Sequence, residues 1–329
     1  MTPETDHIKK RTAQVEGLIH SQTFDDHEQF AAALRGWIPV ARKLDRGPFA
    51  ASLLQIDFGD VRMIHANIDS VVEMEGAAPK GFQSFGLPAG RQTVGRWCGE
   101  AVSGGRFVNL FDESGHFNSV IQPGFETFVV SVREDWLLER GESLEIPVEA
   151  RRGEARVSEH DPASLQILLA MLQRISLAGL TGMNEDKRVD FRDLLCGNVT
   201  GRLLELLSVG RPASRSFSRL RGRILEQARD WIEAAASEEL TVSGLCRGIG
   251  AGERTVRRVF LEYFGVTPLD YWKAQRLNRV HHELLESDPG HGQVSAIANR
   301  WGFWHLGQLA ADYRQLFDEL PSEMLARAR

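Results

Sequence analysis

Leu245–Pro268 reads LCRGIGAGERTVRRVFLEYFGVTP, and Ile297–Pro321 reads IANRWGFWHLGQLAADYRQLFDELP. The two stretches align. Cys246 falls on Ala298 and Gly250 on Gly302 at an offset of 52; one extra residue in the turn then makes the offset 53. Val256, Phe260, Phe264 and Pro268 fall on Leu309, Tyr313, Phe317 and Pro321. The shared pattern is a small residue, a glycine, three large apolar residues four apart and a closing proline. Two helices that meet steeply across a tight turn need these features. Cys246 and Ala298 are small enough for the crossing, and Gly250 and Gly302 tolerate the positive φ of the turn. The apolar stripe anchors one face of the second helix and leaves the other exposed. The spacing therefore predicts two helix-turn-helix units, each with a second helix shaped for a major groove.

Between them, PLDYWKAQRLNRVHHELLE (Pro268–Glu286) predicts a helix with proline in its first turn. Leu269, Trp272, Leu277, Val280 and Leu284 form its expected apolar stripe, and Lys273, Arg276 and Arg279 line another side. Nineteen helical residues span about 28 Å, close to the roughly 34 Å between successive major grooves on one side of DNA. The exposed positions of the first unit are Arg254, Thr255, Arg257, Arg258 and Glu262; those of the second include His305, Gly307, Gln308, Ala311, Asp312 and Arg314. Three arginines can fork onto guanine edges or phosphates. Glycine and alanine reach no base, so the first unit is expected to carry most of the sequence readout and the second to position the duplex. Trp301 and Trp304 are expected in the core, and His281–His282 as a solvated pair rather than a metal site.

The order of elements, AQRLN (Ala274–Asn278) and the run IANRWGFWHLGQLAADYRQLFDELPSEML strongly resemble the AraC/XylS family of bacterial transcription regulators over about the last 105 residues. The resemblance implies two helix-turn-helix units on a linker helix, a small effector bound by an N-terminal domain, and dimerisation. Carried to this sequence, it implies base reading by Arg254, Arg257 and Arg258, with Gly307, Gln308 and Ala311 at the matching positions of the second unit. Thr255 and His305 join this surface, and Arg276 and Arg279 are candidate phosphate contacts. Asp318 stands where the first unit has Gly265; aspartate tolerates the left-handed region well enough for the turn to be kept.

The remainder is less legible. The chain of 329 residues has a net charge of −6, divided as −8 over 1–200, +3 over 201–220 and −1 over 221–329, so DNA binding must rest on where arginines sit. Three cysteines without CxxC spacing, a polar start and no run of 18 apolar residues lead to the expectation of a cytoplasmic protein that does not span a membrane. The stretch from Phe49 to Pro147 alternates short apolar runs with Gly, Pro and Asp, which predicts strands of an antiparallel sandwich or barrel. Asp25–Ile38 predicts a short helix before it. Two helices are expected after it: one capped by Asp161 with Pro162 in its first turn, and one burying Leu195, Val199, Leu203 and Leu207 and stopping at Gly210. These helices can cover the sheet or build a dimer. The expected class is α+β: a β-rich, cupin-like sensory and dimerisation domain over 1–209, a linker over 210–219, and an all-α double helix-turn-helix domain over 220–329.

His65 is followed by Ala66 and Asn67, which breaks the HxH pattern of a cupin metal centre, and no GxSxG elbow, Walker loop or GxGxxG follows a strand. No enzyme, cofactor or metal is expected. The aromatic residues of the β region, Phe58, Phe82, Phe85, Trp97, Phe107, Phe117, Phe125 and Trp136, are expected mainly in its core, with a minority free to line a pocket. Arg91, Arg96 and Arg106 are candidates to meet an anionic group, and the effector residues are unknown. The expected function is a sequence-specific transcription regulator, an activator responding to a small effector, with operator DNA, RNA polymerase and a second copy as partners. The alternative is control by a protein partner through the N-terminal domain.

Overall fold

The computed structural model describes residues 18–90, 94–105, 107–111, 115–146, 156–180, 192–212, 219–234, 240–287 and 293–327. Its strands are β1 (Leu18–Phe24), β2 (Ile38–Lys43), β3 (Ala51–Asp57), β4 (Val61–Ile68), β5 (Val72–Ala77), β6 (Phe82–Pro88), β7 (Val94–Trp97), β8 (Glu100–Ser103), β9 (Phe107–Leu110), β10 (His116–Ile121), β11 (Phe125–Arg133), β12 (Arg156–Glu159) and β13 (Arg211–Pro212). They form two antiparallel sheets, of order β1-β3-β4-β11-β6-β9-β12-β13 and β2-β5-β10-β7-β8. Strands thus begin well before Phe49. The helix expected over Asp25–Ile38 is the shorter α1 (His27–Ala32), started by Asp26, whose Oδ1 accepts from the amides of Glu28 and Gln29. Ile38 opens β2 instead.

The eight-stranded sheet is buried on both faces. Leu53, Ile64, Ala66 and Ile68 turn inward to meet Trp97, Phe111, Phe117 and Phe125. Leu54, Ile56, Met63 and Phe128 turn outward under helices. Those helices are α2 (Glu134–Ser143), α3 (Pro162–Leu180) and a π-helical turn, Asp193–Val199, that runs on into α4 (Thr200–Val209). The Asp161 carboxylate caps α3 by accepting from the Ser164 amide. Leu195, Val199 and Leu203 are fully buried and Leu207 nearly so, which shows that these helices cover their own sheet. By length and composition α3 could also cross a membrane, with a mean hydropathy of 1.4; its Leu165, Leu168, Leu172 and Ile175 are packed in the sheet's outer core. Gly210 ends α4 in an extended conformation, and Arg211–Pro212 then pairs with β12, so the expected linker starts as a strand.

The C-terminal region is all helical: α5 (Arg219–Ala234), α6 (Val242–Ile249), α7 (Glu253–Phe264), α8 (Pro268–Glu286), α9 (Gln293–Arg300), α10 (Leu306–Phe317) and α11 (Pro321–Arg327). α8 is held against the outer face of the five-stranded sheet. Tyr271 Oη and Gln275 Nε2 donate to Glu73 Oε2 at 2.9 and 3.0 Å, and Arg229 pairs with Glu73 Oε1 at 3.0 Å and with Glu75 at 2.8 Å. Asn278 meets the Lys43 backbone at both N–H and C=O, each at 2.9 Å, so its amide satisfies the edge of β2 as another strand would. The N-terminal domain and the linker helix thus share a buried polar seam.

Candidate nucleic-acid interface

α6 and α7 form the first helix-turn-helix unit. The Thr241 hydroxyl caps α6 by accepting from the Gly244 amide, and Gly250 turns the chain at φ +65°. α7 buries Val256, Val259, Phe260 and Phe264 completely. Its opposite face exposes Arg254, Arg257 and Arg258, with Thr255 half-buried beside them. Glu262 closes the far end of this face. Its carboxylate pairs with Arg221 at 2.9 Å and lies 3.9 Å from Arg258 Nε, one helical turn back. The outer part of the face is therefore a block of guanidinium groups with Glu253 at its start and Glu262 at its far end.

α9 and α10 form the second unit. Gly302 has φ +74°, and Asp318 ends α10 at φ +63° with its amide on the Arg314 carbonyl, so the aspartate keeps the left-handed turn that glycine provides at Gly265. Ala298, Leu309 and Tyr313 are buried. His305, Gly307, Gln308 and Ala311 are exposed along the facing surface. Asp312 differs from expectation: it is buried, and it takes a 3.1 Å bond from Lys273 that ties α10 to α8. Between the two units lies a cleft of about 270 Å³ whose lining includes Leu261, Lys273, Asp312 and the β2–β3 connection at Asp45 and Arg46.

α8 has the expected bounds but not the expected faces. Arg276 is only 6% exposed. Its Nε donates to the Trp301 carbonyl at 2.7 Å, and its guanidinium lies 4.3 Å from the rings of both Trp272 and Phe303. The expectation of an outward phosphate contact fails there, because the planar cation fills the junction of α8 with α9. Arg279 is half-buried, beside Trp301 and 3.7 Å from Glu233. Leu269, expected in the apolar stripe, is exposed. Trp304, expected in the core, is 72% exposed at the turn before α10, next to His305. His281, expected in solvent, is 1% exposed and bridges Tyr313 and Asp26; His282 is exposed and pairs with Glu28. What the sequence reading missed is that α8 has a second partner. Tyr271, Gln275, Asn278 and His281 recur at helical spacing as large polar residues that can all make buried hydrogen bonds, and that recurrence was the available signal.

In the N-terminal domain, the Arg96 guanidinium lies against the Tyr263 ring of α7. Its Nε donates to the Glu262 carbonyl of α7 at 2.9 Å, so it reaches across to the first helix-turn-helix unit. Arg91 and Arg106 lie outside the described residues, as does the Phe107 side chain. His65 is a packing residue, bonded to Ser176 and Glu126 and stacked on Phe128. Trp97, Phe111 and Phe117 form a mutually packed cluster with Trp37. Burial raises the Cys196 thiol to about 12, which makes it a poor nucleophile.

Residues 245–327 match the family model of a helix-turn-helix domain. The probable thc operon regulatory protein of Rhodococcus erythropolis is 38% identical over 102 residues, which are 31% of this chain and 31% of that protein. The XylDLEGF operon transcriptional activator 1 of Pseudomonas putida is 27% identical over 133 residues, 40% of each chain. The match thus spans about a third to two-fifths of the length of these curated relatives. A solved structure of the AraC-like transcriptional activator CuxR aligns at 14% identity with a TM-score of 0.43, covering 81% of this chain and 96% of that one.

Proposed function

We propose that this chain, whose C-terminal third is an AraC/XylS-type helix-turn-helix domain, is a cytoplasmic transcription regulator that binds operator DNA with two unequal reading heads. The observation that carries this reading is the α7 face. Arg254, Arg257 and Arg258 stand exposed on one side of a helix whose other side is fully buried. Exposed guanidinium groups without an apolar role fit guanine edges and phosphates. α10 offers Gln308 as an amide able to pair with a base edge, while Gly307 and Ala311 allow close approach of the backbone to the duplex. The second head therefore positions more than it reads.

Regulation is assigned to the N-terminal domain. Its five-stranded sheet grips α8 through Glu73 and the Lys43 backbone, holds Arg229 of α5 through Glu73 and Glu75, and its Arg96 touches α7. A ligand that binds one arrangement of this seam better than another changes how the heads meet DNA, whether that ligand is a small effector or a protein. The effector reading is preferred, with activation through RNA polymerase as its output and a second copy binding an adjacent site. Electrophoretic mobility and in vitro transcription with the full chain test it. Selective binding to the chain's own upstream region, altered by an effector, supports the reading; no binding to any upstream fragment at low salt overturns it.

A further inference from the structure

At the far end of the seam three metal-binding side chains converge. Asp26 and His27 open α1 in the N-terminal domain, and His281 comes from α8. All three are at most 2% exposed, and one ligand atom from each lies within 4.8 Å of the other two. We propose that Asp26, His27 and His281 form a binding site for a divalent transition-metal ion, of the Zn²⁺ class, that joins the N-terminal domain to the linker helix.

Several features distinguish this trio from an ordinary buried hydrogen-bond chain. His27 Nε2 is buried and has no hydrogen-bond partner, which is a costly state for a ring nitrogen and one that a metal would relieve. His281 is held from behind: its Nδ1 lies 2.7 Å from Tyr313 Oη, and its Nε2 lies 2.7 Å from Asp26 Oδ2. An orienting partner on the second ring nitrogen is the usual support of a metal-bound histidine. To bind, the hydrogen bond between Nε2 and Asp26 Oδ2 opens so that both atoms face the ion, while Nδ1 keeps its hydrogen bond with Tyr313 Oη. Two imidazoles and one carboxylate suit Zn²⁺ and its neighbours rather than Mg²⁺ or Ca²⁺.

The surrounding charge leans acidic. Arg327 lies 3.9 Å from Asp26 Oδ2, and Lys43 is near His27. Asp25, Glu28 and Glu319 face the same cluster, with Arg327 already shared between Asp25 and Glu319 at 3.1 Å each. Because the ligands come from both domains, the ion would fix the N-terminal domain against the helix that carries both reading heads.

The test uses the full chain, freed of metal with a chelator and titrated with Zn²⁺ against a chromophoric competitor. Co²⁺ titration, read by visible absorption, reports the coordination geometry. The expected result is one Zn²⁺ per chain and a tetrahedral-type Co²⁺ spectrum. His27→Gln and Asp26→Asn should each weaken binding on the order of 100-fold or more, at or beyond the upper end of what loss of a supporting partner costs. Asparagine still caps α1, so Asp26→Asn keeps the test sound if His27→Gln fails to fold. His282→Gln, at the exposed neighbour, should bind as the parent does. Absence of stoichiometric Zn²⁺ binding by the parent overturns the proposal. So does affinity unchanged in both His27→Gln and Asp26→Asn, or lost in His282→Gln.

Discussion

Arg258 and Arg276 show how far a residue's role depends on what packs against its helix. Both sit among apolar stripes at helical spacing, and the sequence reading gave both to DNA. Arg258 is exposed, with Glu262 as its neighbour one turn on. Arg276 is enclosed by Trp272, Phe303 and the Trp301 carbonyl. Their alanine variants should therefore fail differently. Arg258→Ala is expected to lose about 1–3 kcal/mol of operator affinity and to relax specificity at one base pair, with an unchanged urea midpoint. Arg276→Ala is expected to lower the stability of the chain by about 2 kcal/mol through the loss of a charged hydrogen bond and two ring contacts. Anisotropy on single-base operator variants and urea unfolding separate the two. Periodicity could not tell these arginines apart, because it locates a helix face but not the element that covers it.

Individual helices were largely readable. α8 has the bounds that its proline start and stripe implied, and Asp318 adopts the turn geometry expected of it. The repeat was legible because a steep helix crossing makes strict local demands. Gly302→Val is accordingly expected to destabilise the second unit by about 1–2 kcal/mol, because a branched side chain is strained at φ +74°. Calorimetry of the full chain checks this, and an unchanged transition would mean that the turn adapts. The β domain was less readable, since strands such as β3 are buried on both faces and lose the alternation of a half-exposed sheet. β1 and β2 were missed because LIHSQTF and IPVARK are too polar or too short in apolar pattern to stand out. α2, inside the stretch read as strands, was missed as well, because EDWLLERGES is mostly polar.

At the scale of the whole molecule, the seam between sheet and linker helix left one trace in the sequence, the spacing of Tyr271, Gln275, Asn278 and His281. Its residues are polar on both sides, so each side alone reads as a solvated surface; only their mutual pairing makes burial tolerable. The Arg42 and Arg229 guanidinium groups, each bonded to Glu75, outweigh its partial burial and hold its carboxyl below the usual value of 4.5. A depressed folded-state value means that the stabilisation is fully present above about pH 4.5 and disappears as pH falls through that lower value. Unfolding midpoints between pH 3 and 6 should thus decline on acidification, and Glu75→Gln should flatten that decline. An identical acid profile in the variant would remove Glu75 from the seam's energetics. The central claim is that the α7 arginine face reads DNA. Fluorescence anisotropy of the full chain, with DNA from upstream of its own gene and a scrambled control over a salt series, tests it most directly. The account predicts sequence-selective binding that is lost in the Arg254→Ala, Arg257→Ala, Arg258→Ala triple variant while its fold is kept. Equal affinity for the scrambled DNA, or binding unaffected by the triple variant, would contradict it.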